Sequence, residues 1–258
     1  MKFITLKMEK LKKLNNKLKI LTDANSYNYC FIVLFAIAFL NSFNIEGNMA
    51  FDKGFSLFIS TRFFIFMLML IFFYSTNRMV IYFENNYSFS IRLKDKRKYL
   101  REIIKYSTFS NFILYLTFIF VSLVILIFKT NIVFIPTYID SYGISILFYS
   151  LIKLIKYFVI INFLSIFGII IFKTFSKTFS YIYYILLCVL YYNFALNLDI
   201  INSFGFKDVL YLTYLNNYQY INLTTEITNF IIVCCIYYIF YELFLLLTIK
   251  YNKIKVSN

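Results

Sequence analysis

A strongly basic stretch lies between two long apolar runs near the middle of the chain. Residues 84–106 (ENNYSFSIRLKDKRKYLREIIKY) contain seven Lys or Arg and three acids. A Lys or Arg at the centre of a bilayer costs about 2.5–3.5 kcal/mol, so this stretch must face water. Its positive excess predicts the cytoplasmic side, because cytoplasmic loops are enriched in Lys and Arg. The apolar runs on both sides of it are therefore expected to cross a membrane.

The composition agrees with a membrane protein. Hydrophobic residues make up 61% of the 258 residues and charged residues 15%, which leaves too little polar surface for a soluble domain. The formal net charge of +14 does not point to nucleic acid, since the basic residues stand in the gaps between apolar runs. We therefore expect membrane lipid, and no nucleic acid, around this chain.

Six apolar runs predict an all-α integral membrane protein with six transmembrane helices and an N-terminal amphipathic interfacial helix. The interfacial helix falls in residues 1–26, where seven lysines accompany apolar residues at helical spacing. The six-helix domain covers residues 27–249, with the basic cytoplasmic loop at 84–106 and a cytoplasmic tail at 250–258. The predicted spans are residues 27–43, 55–83, 109–128, 157–172, 179–196 and 230–249.

Charged residues interrupt the apolar pattern at two informative points. Asp95 is placed to cap a helix that begins at Lys96 and runs on into the third span. Lys153 and Lys156 separate residues 144–152 from the fourth span, so we expect an interfacial segment there, with both lysines reaching outward. Residues 197–229 hold no full span and are expected to dip into the membrane or lie on it.

The distribution of charge supports six spans with both termini inside. With these boundaries, 20 basic and six acidic residues fall on the inner side, and six of each fall on the outer side. The whole net charge thus lies on one side of the membrane, as the positive-inside rule requires. An inverted orientation would contradict that rule.

Several kinds of catalytic chemistry are missing from the sequence. The chain has no histidine and therefore no imidazole base or imidazole metal ligand. It has no GxxxxGK[ST] sequence, and no paired carboxylates fall within a span. The cysteines lie in predicted spans, where small buried apolar residues are their usual role: Cys30, Cys188, Cys234 and Cys235. We expect no enzyme activity, no cofactor and no metal.

Glu242 and Arg78 are the candidate intramembrane charges. Glu242 is the one acid placed clearly within a predicted span, where an uncompensated carboxylate is costly. Arg78 and Lys250 lie toward the same side of the membrane and are its candidate partners. A structural ion pair between two helices and a coupling role both fit Glu242. Gly168, in the fourth span, is expected to allow a close helix contact.

This layout of an interfacial helix, six spans and a basic loop after span two resembles the permease of ABC-2-type ABC transporters. In that family the loop carries a coupling helix that docks onto a separate nucleotide-binding subunit. The matching residues here are Ser90, Ile91, Arg92, Leu93, Lys94, Asp95, Lys96 and Arg97. The resemblance also implies a second permease copy or a paralogue, and ATP-driven export of a drug, antimicrobial peptide, lipid or lipid-linked glycan. We expect a multi-pass protein of a cell membrane, with both termini cytoplasmic, in a bacterium.

The residues leave another class of function open. A non-transporting accessory or immunity-type membrane protein, binding a partner in the bilayer, would need the same spans. A secondary transporter is disfavoured, because intramembrane charge is sparse and no paired Gly- or Pro-broken helices occur. A neighbouring gene for a P-loop ATPase would favour the exporter, and its absence the accessory protein.

Overall fold

Long helices make up almost all of the part of the chain that the computed structural model describes, which is residues 27–43, 50–60, 62–85, 96–130, 138–139, 144–196 and 223–250. Two short antiparallel strands lie between the helices that end at Lys129 and begin at Ile146, with Tyr138 paired to Ser145. In chain order the elements are α1 (Tyr27–Ser42), α2 (Phe51–Ser60), α3 (Arg62–Asn85), α4 (Lys96–Lys129), β1 (Tyr138–Ile139), β2 (Ile144–Ser145), α5 (Ile146–Thr174), α6 (Lys177–Leu196) and α7 (Leu223–Lys250).

Three of the described helices are long and apolar enough to cross a membrane, over Phe64–Asn85, Arg97–Lys129 and Ser150–Thr174. Shorter apolar stretches occupy Lys177–Leu190 in α6 and Phe230–Leu243 in α7. The all-α prediction is therefore confirmed apart from the small hairpin. The predicted interfacial helix (1–26), the tail beyond Lys250 and most of the mixed segment 197–229 lie outside the described residues.

The apolar run predicted as span two forms two helices, α2 and α3. Helix α2 is amphipathic: Phe51, Phe55 and Phe58 are buried, whereas Lys53 is exposed. This i, i+4, i+7 spacing places the aromatic rings on one face, and that face packs on α5. The single span expected over residues 55–83 is therefore divided near its N-terminal end, between Ser60 and Arg62.

Helix α4 is continuous from Lys96 to Lys129 and has 34 residues. The predicted helix start at Lys96 is confirmed, although Asp95 itself lies outside the described residues. At 1.5 Å per residue α4 is about 51 Å long, whereas the apolar core of a bilayer is about 30 Å thick. Half of the predicted basic loop, residues 96–106, is thus part of a helix that extends beyond any membrane it crosses.

Helix α5 is also continuous, and Lys153 and Lys156 do not interrupt it. Both lysine side chains are only 1% exposed, so the prediction that they reach outward is wrong. The reason is the helical spacing of these residues. Lys153 lies on the same face of α5 as the buried Leu154, Tyr157 and Ile161. That face lies toward the neighbouring helices, and α5 packs against all of α2, α3, α4, α6 and α7.

Two buried apolar clusters hold the helices together. In the larger one, the Phe64 ring of α3 lies 5.1 Å from Phe118 of α4 and 6.2 Å from Tyr157 of α5. The smaller cluster gathers the ends of α3, α4, α5 and α7 that border the basic stretch. Its members include Val80, Phe83, Tyr99, Leu100, Ile103, Ile169 and Leu245.

Candidate functional site

The predicted docking segment falls at the start of α4. Its first residues, Ser90, Ile91, Arg92, Leu93, Lys94 and Asp95, lie outside the described residues. Lys96 begins the helix, and Arg97 follows with its side chain resolved against a neighbouring helix. The structure therefore describes where this segment enters the bundle.

Arg97 and Arg101 of α4 both form ion pairs with Glu242 of α7. The guanidinium nitrogens lie 3.6 and 3.7 Å from the two carboxylate oxygens of Glu242. The arginines are four residues apart, so they project from one face of α4. Glu242 is 26% exposed and the arginines are about half exposed, so water screens these pairs in part. The expected helix-to-helix ion pair of Glu242 is present, but its partners come from the basic stretch.

A second ion pair joins α3 to α5 at the same end of the bundle. The Nζ of Lys173 lies 2.7 Å from a carboxylate oxygen of Glu84, and the lysine side chain is only 5% exposed. The same ammonium stands 5.2 Å from the ring centre of Tyr99, whose hydroxyl donates to the Phe83 carbonyl at 3.2 Å. We call Glu84, Arg97, Arg101, Lys173 and Glu242 the charged belt.

The charged belt lies where the ends of four helices meet. Its two ion-pair groups connect α3 with α5 and α4 with α7, and Tyr99 of α4 links the two groups. The apolar side chains of the smaller cluster pack directly among these ends. The start of α4 therefore lies against the ends of three other helices.

Arg78 does not contact Glu242, its predicted partner. Its Nε donates to the Tyr74 hydroxyl at 3.1 Å, and the guanidinium lies 5.4 Å from the Tyr74 ring centre. Both residues are exposed on the outer surface of α3. The other suggested partner, Lys250, ends α7, and its side chain lies outside the described set.

A buried group of uncharged polar side chains lies deeper in the bundle, where α3, α4, α5 and α6 meet. All of its members are less than 9% exposed: Ser75, Thr76, Asn77, Ser110, Asn111, Asn162, Ser165 and Ser180. We call this set the polar cluster. Hydrogen bonds connect its helices, for example between the Ser75 and Ser110 hydroxyls at 2.8 Å.

Asn111 is the centre of the polar cluster. Its Nδ2 lies 3.2 Å from Thr76 Oγ1 of α3, 3.0 Å from Asn162 Oδ1 of α5 and 3.2 Å from Ser165 Oγ of α5. The Asn162 amide in turn contacts Thr108 at 3.4 Å. One side chain of α4 thus ties two other helices together through neutral hydrogen bonds, a common way for helices to associate in membranes.

Close contact between α5 and α6 completes the polar cluster. The Ser180 hydroxyl lies 3.0 Å from the Gly168 carbonyl and 3.3 Å from Asn77 Oδ1. A methyl group on Gly168 would overlap the hydroxyl and ring of Tyr184, so glycine is needed for this approach, as the sequence predicts. Tyr184 donates to the Ser165 carbonyl at 2.9 Å.

Hydropathy and charge patterns did not predict the polar cluster, although its polar residues are visible within the apolar helices. Ser75-Thr76-Asn77 directly follows the most apolar part of α3, and Ser110-Asn111 stands near the middle of α4. Each polar residue is individually neutral, so hydropathy and charge patterns record only a shallow dip. Predicting the cluster would require knowing which of these polar positions face each other on neighbouring helices.

The His, Cys, Asp and Glu side chains of the described part of the chain form no cluster suited to a metal ion. Cys188 is buried, as expected, but Cys234 is half-buried and Cys235 is exposed. The predicted role of the cysteines as buried apolar residues therefore holds for Cys188 alone among these three.

No match was found among known proteins. No protein-family model, no curated protein and no solved structure resembles this chain.

Proposed function

We propose that this chain is the membrane-spanning permease subunit of an ATP-driven exporter that works with a separate nucleotide-binding subunit. The substrate class is amphiphilic: a drug, an antimicrobial peptide, a lipid or a lipid-linked glycan. The chain itself would supply the path and the coupling element, and the partner would supply ATP hydrolysis. A second copy or a paralogue would complete the path.

The continuity of α4 carries this proposal. A 34-residue helix joins the basic segment at Lys96 to the opposite end of the bundle without a break. Because α4 exceeds the apolar thickness of a bilayer by about 20 Å, its basic end reaches the region where a cytoplasmic ATPase would bind. A loop used only to orient the protein would not need to be a rigid extension of a span.

The charged belt gives the start of α4 a mechanical role. Arg97 and Arg101 hold α4 to Glu242 of α7, and Tyr99 lies beside the Lys173–Glu84 pair of α5 and α3. Movement of residues 90–97 by an ATPase would therefore shift several helices together. The polar cluster lies farther along α4 and joins α3 and α5, so the same movement reaches the interior.

Six spans with both termini inside suit this role. Helices α3, α4 and α5 supply three spans of sufficient length. We assign the other three to α1, α6 and α7, whose outer faces carry exposed apolar side chains suited to lipid or a second subunit, such as Phe35, Ile185 and Ile239. The apolar stretches of these three helices are shorter. The charge distribution predicts both termini on the same side of the membrane, which requires an even number of spans.

The test replaces the apolar residues of the docking segment while keeping its charge. In Ile91→Ala/Leu93→Ala every basic residue remains, so insertion and orientation should be unaffected. If these side chains anchor the ATPase, each is worth about 1.5–3 kcal/mol when fully buried, and recovery of the ATPase should fall at least tenfold. The measurement is a pull-down, at matched expression, of any P-loop ATPase that a neighbouring gene encodes.

A matched control is available on the same helix. Leu116→Ala/Ile127→Ala removes the same two side-chain types from exposed positions of α4 that are remote from the docking segment. This variant should recover the ATPase as the wild type does. Equal recovery with both double variants would contradict the docking role and favour an accessory or immunity-type membrane protein.

A further inference from the structure

Two buried polar groups on one face of α4 lack a hydrogen-bond partner among the described residues. They are the hydroxyl of Ser107 and the amide oxygen of Asn111, and both side chains are completely buried. Residues four apart on a helix lie above one another, with Cβ atoms about 5–6 Å apart. The two unpartnered groups therefore belong to neighbouring points of the same interior surface.

The shortage of partners at Asn111 does not depend on the orientation of its amide. As placed, Nδ2 has two hydrogens and three oxygen neighbours, while Oδ1 has none. Reversing the amide would give Oδ1 those neighbours, and the NH2 group would then be the one without a partner. In either orientation one end of this amide points to a place that no described protein atom satisfies.

We propose that a buried water molecule bridges Asn111 and Ser107 at the edge of the polar cluster. Two hydrogen bonds of about 2.8 Å each match the spacing of groups one helical turn apart. Such a bridge satisfies both groups, and immobilising a water costs less than leaving buried polar groups unpaired. Buried waters typically occupy sites of this kind, which offer two or more polar partners.

Water fits the site better than a cation does. The polar cluster contains no carboxylate, so a cation there would be an uncompensated buried charge. A cation would also require the amide oxygen to face it, whereas water accepts from an NH2 group as readily as it donates to an oxygen. The inference concerns the interior of the bundle and does not depend on a transport role.

The direct test is a structure of the full chain in lipid nanodiscs, at a resolution that reveals ordered water. We expect density within hydrogen-bond distance of both the Asn111 amide and the Ser107 hydroxyl. An empty space between them, or protein atoms in contact with both groups, would overturn the proposal. Thermal unfolding in sodium chloride and choline chloride of equal concentration identifies a cation: a higher midpoint in sodium, lost in Asn111→Leu, would also overturn it.

A substitution gives a second readout. Ser107→Ala leaves every described protein hydrogen bond in place and removes one anchor of the water. We expect the unfolding midpoint to fall by at least as much as in Ser122→Ala, a control on α4 that loses a bond to the Phe118 carbonyl of 2.7 Å. A dry site predicts the reverse, because the alanine would remove an unsatisfied hydroxyl. A midpoint equal to or above that of the wild type would therefore refute the bridge.

Discussion

Glu242 illustrates how an acid is accommodated in an otherwise apolar helix. Its carboxylate lies between two guanidinium groups, Arg97 and Arg101, that come from a region about 140 residues earlier in the chain. Because all three side chains are partly exposed, the ion pairs add little stability, and their main effect is to leave no uncompensated charge on α7. They lie on the face of α7 that meets α4.

The two arginines should substitute for one another. Replacing either Arg97 or Arg101 by Ala should lower the free energy of unfolding by about 0.5 kcal/mol or less, since the other arginine still faces Glu242. The double variant should lose more than the sum of the two, because Glu242 is then left uncompensated. Unfolding midpoints in detergent, followed by circular dichroism, measure this coupling.

Lys105→Ala is the matched control for that experiment, because it breaks an exposed pair with Glu102 on the same helix. It should have little effect alone and should combine additively with Arg97→Ala. Strict additivity of the Arg97 and Arg101 variants would show that Glu242 does not depend on them.

Single residues also mark the limit of what the sequence could predict. The long apolar helices and the helix start at Lys96 follow from hydropathy, charge and capping preferences. The burial of Lys153 and Lys156 does not, because a charge pattern cannot show which face of a helix meets its neighbours. The partners of Glu242 and the polar cluster depend on which helices pack together, and no local pattern contains that information.

At the scale of elements, α4 combines two environments in one helix. Residues 96–106 carry basic side chains on one face and Tyr99, Leu100, Ile103 and Ile104 on the other, and these four are buried. The same helix then continues as an apolar span. The basic stretch is therefore a packed amphipathic helix from Lys96 onward, not a solvated loop.

Leu100→Ala tests that packing. Leu100 is completely buried in the smaller cluster, which also has members from α3, α5 and α7, so its truncation should cost about 2–5 kcal/mol and lower the unfolding midpoint clearly. Lys98→Ala, two residues away and exposed, should stay within about 0.5 kcal/mol of the wild type. Thermal unfolding of both variants in the same detergent is the measurement. A stable Leu100→Ala variant would mean that this end of α4 is not held by the bundle.

At the scale of the whole molecule, the distribution of positive charge predicts how the protein is oriented in a membrane. The basic side chains of the charged belt gather at the end of the bundle where α3 ends and α4 begins. Helix α2, with Lys53 exposed on it, immediately precedes the opposite end of α3. The positive-inside rule therefore predicts that the charged belt faces the cytoplasm and that α2 lies on the outer side.

Labelling of single cysteines tests this orientation. In a background without the four native cysteines, Lys53→Cys should react with an impermeant thiol reagent in intact cells. Lys98→Cys should react only after the membrane is permeabilised. Both positions are exposed, so a difference in labelling reports the side of the membrane. Reaction of Lys98→Cys in intact cells, with Lys53→Cys silent, would invert the topology.

The position of Asn111 along α4 has a geometric consequence. It lies 15 residues after Lys96 and 18 before Lys129, close to the middle of the helix. Asn111 forms hydrogen bonds to α3 and α5 at this midpoint. If α4 tilted about this point, its two ends would move in opposite directions. With arms of about 22 and 27 Å, a 5° tilt moves the two ends by about 2 Å in opposite directions. An inward push at the basic end would thus become an outward displacement at the far face of the bundle.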